Sequence, residues 1–144
     1  MKSSSSLNVW LADDDEDDRL LFQDALQEVS ENFQLSTSTD CIDLIEILHQ
    51  KKLPDVLFLD LNMPQRNGFE CLEELKKDPK LKQIPVIIYS TSSQKEDIRR
   101  AYSLGAQFYV KKPSSFYQLK GILNRLLTID WQHTERNLNT FTFE

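Results

Sequence analysis

Cysteine is scarce in this chain, with two among 144 residues. Cys41 and Cys71 fall in apolar helical patterns rather than at the close spacing of a metal or redox pair, which excludes a disulfide-framed secreted scaffold. Both are expected to be reduced core residues of a cytoplasmic protein. Positive charge is also in deficit: 17 lysines and arginines face 23 acidic residues, a net charge of −6. That balance disfavours nucleic acid and anionic membrane as partners. No apolar run approaches the length needed to cross a bilayer, and the residues from Met1 to Ser6 carry no apolar stretch of the signal-peptide kind. The two histidines, His49 and His133, are expected on the surface, with nothing resembling a kinase core. Internal repeats and linkers are missing as well. A single domain is therefore expected, large enough to bury a core without staples.

What the chain does have is an acidic run, Asp13 to Asp18, starting directly after the apolar stretch Val9-Trp10-Leu11-Ala12. Acidic residues often open a helix, because they complement its dipole and cap its free N–H groups. Placed where a buried strand runs out into a loop, carboxylates also offer a hard cation a set of oxygen ligands.

Apolar runs of strand length alternate with segments of helical period, the signature of a parallel sheet flanked by helices. Five strand–helix pairs are expected. The strands are Asn8–Ala12, Phe33–Thr37, Val56–Leu59, Val86–Tyr89 and Gln107–Val110. The second is polar enough for an edge, and the third is apolar enough for the centre. The inward helix faces are read as Phe22, Ala25, Leu26 and Val29; Ile42, Ile45 and Leu48; Phe69, Leu72 and Leu75; Ile98, Ala101 and Tyr102; and Phe116, Leu119, Ile122, Leu123 and Leu126. Gly105 is a natural end for the fourth helix.

In an open parallel sheet, ligands bind at the carboxyl ends of the strands. Four such ends carry reactive or charged groups: Asp13 and Asp14 after the first strand, Asp60 after the third, Ser90 at the fourth and Lys112 after the fifth. Taken singly, each has an ordinary structural explanation. Together they suit phosphoryl transfer, in which positioning and charge stabilisation supply most of the catalysis. Asp60 is the candidate nucleophile. Asp13 and Asp14 would hold Mg²⁺ with help from the Asn62 loop, Lys112 would place a point charge on a phosphoryl oxygen, and the Ser90 hydroxyl would donate to another.

The stretches VWLADDD, PDVLFLDLNMPQRNGFE, PVIIYSTSS and LGAQFYVKKP, in this order between about Asn8 and Thr128, resemble the receiver domains of two-component response regulators. The resemblance implies an α/β flavodoxin-like fold, a doubly wound five-stranded parallel sheet in the order 2-1-3-4-5. It also implies that Asp60 is the phosphoacceptor and that Asp14, Asp60 and the Asn62 backbone carbonyl ligate Mg²⁺, with Asp13 acting through water. Ser90 and Lys112 would contact the phosphoryl group, Tyr109 would turn inward behind Ser90, and the Lys112–Pro113 peptide would be cis. The donor implied is a partner histidine kinase. The readout implied is a fourth-helix to fifth-helix face that signals by association, a homodimer included. DPKLKQIPVIIYSTSS with AYSLGAQFYVKKP, and a Trp soon after the last helix, look most like the small stand-alone regulators paired with bacterial phytochromes. Ser90 stands where threonine is commonest in the family, keeping the hydroxyl and losing a methyl.

Chain order argues against the nearest rival, an Asp-nucleophile phosphatase of the haloacid dehalogenase type, which places its nucleophile first and its acidic pair last. Flavodoxin-like redox carriers should offer hydroxyls and N–H groups, not carboxylates, in the first loop. A receiver acting only as a binding module is disfavoured because every chemical group is present. Residues 1–7 are expected as a loose arm, 8–128 as the receiver and 129–144 as a tail. Trp131, Leu138, Phe141 and Phe143 in that tail leave two expectations open, fraying or docking on the domain or a second subunit.

Overall fold

In the computed structural model, which describes residues 6–63, 66–131 and 133–144, parallel strands form one sheet with helices on both faces. The first strand, β1 (Leu7–Ala12), leads into α1 (Glu16–Val29), followed by β2 (Phe33–Ser38), α2 (Cys41–Gln50), β3 (Val56–Leu59) and α3 (Gly68–Lys77). The chain continues through β4 (Val86–Ser90), α4 (Lys95–Ser103), β5 (Phe108–Lys111) and α5 (Phe116–Leu126) to a 3-10 turn (Leu138–Thr140) and β6 (Thr142–Phe143). Sheet order is β2-β1-β3-β4-β5-β6. The expected five-strand order is present with one addition, a short sixth strand on the β5 edge. Residues 1–5 of the expected arm, and Pro64 and Gln65 of the loop after β3, lie outside the described residues.

Local signals explain the element starts. Asp15, Asp40 and Ser115 cap α1, α2 and α5 by accepting the backbone N–H of Asp18, Asp43 and Gln118, and Asn67 with Glu70 closes a capping box on α3. Each cap satisfies donors that the helix itself cannot. Gly105 has φ +103° in the turn after α4, a conformation that L side chains rarely adopt.

Two cores sandwich the sheet. Val9, Leu11, Val56, Phe58, Ile87 and Tyr89 pack with Phe22, Leu26, Leu119 and Leu123 of α1 and α5. Trp10, Ala12, Leu57, Leu59 and Ile88 face Leu44, Leu48, Leu72, Leu75 and Ala101 of α2, α3 and α4. All four residues of β3 are buried, as a strand covered on both faces requires. The inward face of α2 differs from expectation. Cys41, Leu44 and Leu48 are buried, whereas Ile42 is 49% exposed. The i, i+3, i+7 stripe thus starts one residue earlier, as the packing of α2 on the sheet selects it.

Two further expectations are corrected, and of the two left open for the tail the structure shows docking on the domain. Cys41 and Cys71 are buried as expected, but joined as a disulfide across a Cα–Cα distance of 5.7 Å. The first turns of α2 and α3 lie side by side, a neighbourhood that 30 residues of sequence separation conceal. The Lys112–Pro113 peptide is trans, as no cis bond occurs among the described residues; trans is favoured before proline by about 0.5–1 kcal/mol. The tail, finally, is folded onto its own domain: Trp131, Phe141 and Phe143 are buried, and β6 pairs with β5 through Tyr109–Thr142 and Val110–Phe143. Leu138, the fourth large apolar group of that segment, stays exposed.

Candidate functional site

Parallel register brings the carboxyl ends of β1, β3, β4 and β5 to one rim. The Asp60 N–H donates to the Ala12 carbonyl at 2.9 Å, and the Lys112 N–H donates to the Ser90 carbonyl at 2.7 Å, so neighbouring strands run out side by side. The Asp13 N–H is held by the Ser38 carbonyl at 2.9 Å. Gly68 lets the loop after β3 fold back over this rim. A Cβ there would stand 2.4 Å from the Asp60 carbonyl oxygen and 2.6 Å from Leu61 Cα, closer than any side chain tolerates.

The acidic run divides its work. Asp15 caps α1, with Glu16, Asp17 and Asp18 in the first helical turn, while Asp13 and Asp14 stand at the strand end. Oxygen atoms of Asp13, Asp14 and Asp60 all lie within 4.8 Å of one another, with Asp13 and Asp60 buried and Asp14 exposed. Lys112 Nζ lies 2.9 Å from Asp13 Oδ2, 2.8 Å from Asp18 Oδ2 and 3.6 Å from Asp60 Oδ2. The contact with Asp13 is an ion pair without hydrogen-bond alignment, so that fully buried oxygen has no hydrogen-bond donor.

One ammonium therefore faces three carboxylates, with Asp14 close behind two of them. The Asp60 carboxyl is pushed up to about 6, chiefly by burial and also by Asp13, against Lys112 and the Asn62 N–H, 3.3 Å from Oδ1, which favour the charged form. Burial works against the Lys112 charge, but the hydrogen bond to Asp18, the ion pair with Asp13 and the charge of Asp60 outweigh it and hold the ammonium above its ordinary range. The tyrosine ring of Tyr89 backs the same ammonium, its centroid 5.3 Å from Nζ.

A second cation fits this arrangement. All donors are oxygens, the negative charge exceeds what Lys112 neutralises, and Asp13 Oδ2 has an unused lone pair, which is the ligand chemistry of a hard divalent ion. Crowded carboxylates repel an incoming phosphate until such an ion reverses the local sign.

Ser90 is fully buried at the end of β4; its hydroxyl accepts the Ser92 N–H at 3.1 Å. A depression of about 210 Å³ beside it is lined by Asn62, Asn67, Phe69, Ser92, Asp97 and Arg100 among others. Tyr109 is buried, and its hydroxyl donates to the Ser92 carbonyl at 2.9 Å. The fold thus gathers Asp13, Asp14, Asp60 and Lys112 into one cluster, with Ser90, Ser92 and Tyr109 linked along its flank. Larger hollows sit elsewhere: the cavity of about 560 Å³ lined by Leu7, Asp55 and Trp131 contains none of the four clustered residues.

Asp18 was given no role from sequence, and Phe141 was named there only as an apolar residue of the tail. Asp18 pairs with Lys112 from the first turn of α1. Helical spacing gives no signal for it, because Asp14 lies before the cap of α1 and outside the helix. Phe141, which packs on Tyr109, had no local signal beyond being apolar in a tail.

Residues 9–124 match the response regulator receiver domain. The chain belongs to this family, the receivers of two-component signalling. It is 30% identical to response regulator Rcp1 of Synechocystis sp. over 117 residues, 77% of this chain and 80% of that protein. It is also 31% identical to the two-component response regulator ORR13 of Oryza sativa subsp. japonica over 120 residues, 83% of this chain and 98% of that protein. A probable methanogenesis regulatory protein, FilR2 of Methanothrix harundinacea, is 41% identical over 70 residues, and the match spans only 45% of its length. Among solved structures, the phosphorylated cyanobacterial phytochrome response regulator RcpA superposes with a TM-score of 0.81 at 32% identity, over 91% of this chain and 97% of that one. The Mn²⁺-bound form of Rcp1 gives 0.77 at 26% identity, over 91% and 99%. Receiver domains are phosphoacceptor signalling domains phosphorylated on aspartate, with a divalent ion at an acidic pocket. No described helix is long and apolar enough to cross a membrane.

Proposed function

We propose that Asp60 is the phosphoacceptor of this receiver and that Asp14, Asp60 and the Asn62 carbonyl hold Mg²⁺, with Asp13 joining through water. The single observation that carries this reading is the convergence of three carboxylates within 4.8 Å around one buried lysine at the strand ends. A histidine kinase is the expected donor, and the likeness to RcpA favours a phytochrome-type sensor. An Asp60 carboxylate oxygen attacks the phosphorus of a phosphohistidine. The new P–O bond forms an acyl phosphate while the P–N bond breaks, and its electron pair leaves on the imidazole, which takes up a proton. Bound Mg²⁺ supplies charge neutralisation for the phosphoryl oxygens and the crowded carboxylates.

Lys112 supplies the second positive charge at a position fixed by Asp13 and Asp18, so little reorganisation is needed at the moment of transfer. Ser90 offers a hydroxyl once it releases the Ser92 N–H. Signalling follows through the α4–β5–α5 side, by association with a partner or a second copy, in the cytoplasm. Incubation with acetyl phosphate should add one phosphoryl mass in a Mg²⁺-dependent manner, and Asp60→Asn should remove it. Steady turnover of a generic phosphomonoester would instead favour the phosphatase reading.

A further inference from the structure

Tyr109 occupies an inward, buried position here, with its hydroxyl on the Ser92 carbonyl at 2.9 Å and its ring 1% exposed. The resemblance implies an inward turn of this ring behind Ser90, and here the tail packs against it. Phe141, also 1% exposed, packs against Tyr109 with ring centroids 6.3 Å apart and against Tyr102 of α4 at 5.1 Å. The Phe141 carbonyl accepts the Tyr109 N–H at 2.9 Å. With Phe141 seated, its ring packs against the Tyr109 ring in the same core cluster.

A contiguous path then joins the tail to the site. Phe141 holds Tyr109, the Tyr109 hydroxyl holds the Ser92 carbonyl, the Ser92 N–H holds the Ser90 hydroxyl, and the Ser90 carbonyl accepts from the Lys112 N–H. We infer that the C-terminal segment, residues 133–143, is a built-in ligand of the β5 edge whose docking holds Tyr109 inward and is coupled to the state of Asp60. This regulation rests on the phosphoacceptor reading of Asp60.

The docked segment is held by few contacts, as a reversible element must be. Its strand is two residues long. Arg136 Nε donates to the Ala106 carbonyl at 2.9 Å, with the guanidinium 4.1 Å from the Tyr102 ring centroid. The Gln107 amide donates to the Thr134 carbonyl at 3.1 Å, and Phe143 sits edge-on to Phe108 beneath Arg125. Because linkage is reciprocal, any group at Asp60 that favours inward Tyr109 tightens the tail by the same factor by which the tail favours that group.

Amide hydrogen exchange on the full chain, with and without Mg²⁺ and beryllofluoride, tests this. The Tyr109 amide, bonded to Phe141, should slow by about fivefold or more, beyond any slowing of the β1 core amides that report global unfolding. Phe141→Ala should weaken beryllofluoride binding by the same factor. Arg136→Gln, which spares the ring cluster, should weaken it in the same direction if Phe141→Ala fails to fold. Beryllofluoride binding by the wild-type chain with Tyr109 exchange tracking β1, or with either folded variant binding as tightly as wild type, overturns the inference and leaves the phosphoacceptor reading standing. Failure of the wild-type chain to bind beryllofluoride with Mg²⁺ overturns both.

Discussion

Lys112 is the side chain on which the site's electrostatics turn, because it sets positive charge against Asp13, Asp18 and Asp60 at a buried rim. Removing one partner of a buried ion pair leaves the others desolvated and unpaired, at a cost of about 3–5 kcal/mol. Lys112→Met should therefore lower urea-unfolding stability by roughly that much in metal-free buffer, and Mg²⁺ should recover part of the loss. Gly68→Ala drives a methyl into the Asp60–Leu61 backbone. It should weaken Mg²⁺ binding at the rim as well as stability, measurable by titration of the folded variant.

A second lysine carries a pH signature remote from the rim. Lys76 Nζ donates to the Lys82 and Ile84 carbonyls at 3.1 and 2.9 Å. Burial, followed by the charge of Arg136, lowers its pKa from 10.5 to about 8. Between those values the unfolded chain binds more protons than the folded one, so stability should rise as pH climbs from about 8 to about 10.5. Comparison of Lys76→Met with wild type by denaturant unfolding at pH 7.5, 9 and 10.5 should show this component lost in the variant.

At the scale of elements, caps and glycines mark where helices begin and end, and they were legible locally. The β1 to β5 cores lay within a residue of expectation, and the faces of α3 and α5 followed their apolar spacing. The phase of α2 was misread because Ile42, Leu44, Ile45, Ile47 and Leu48 offer more apolar positions than one face can use. Only packing against the sheet decides which are covered. Leu44→Ala should cost about 2–5 kcal/mol, and Ile42→Ser well under half as much, by thermal or urea unfolding. The Cys41–Cys71 link closes 30 residues between α2 and α3. Chain-entropy arguments give it about 3–4 kcal/mol, so a reductant or Cys41→Ser should lower the denaturation midpoint.

For the whole molecule, the sheet acts as a ruler that places four loops at one rim, and the rim carries more negative charge than its lysine can balance. A divalent ion that binds only the folded state raises stability by mass action. Millimolar Mg²⁺ should raise the melting temperature of the wild-type chain, and by less in Asp60→Asn, with calorimetry as the readout. Phosphorylation would then act on a body whose β5 edge is already covered by its own tail, with Phe141 and Phe143 buried against it.

The sequence by itself determined the alternation of strand and helix, the parallel sheet and the placing of Asp13, Asp14, Asp60, Ser90 and Lys112 at strand ends. Those follow from period, capping and the end of an apolar run, all of which are local. The tertiary structure alone decided that Asp18 closes on Lys112, that Cys41 meets Cys71, that Lys112–Pro113 is trans and that Phe141 wedges behind Tyr109. Each of these depends on distances between segments far apart in the chain or on a backbone isomer, and a one-dimensional pattern carries neither.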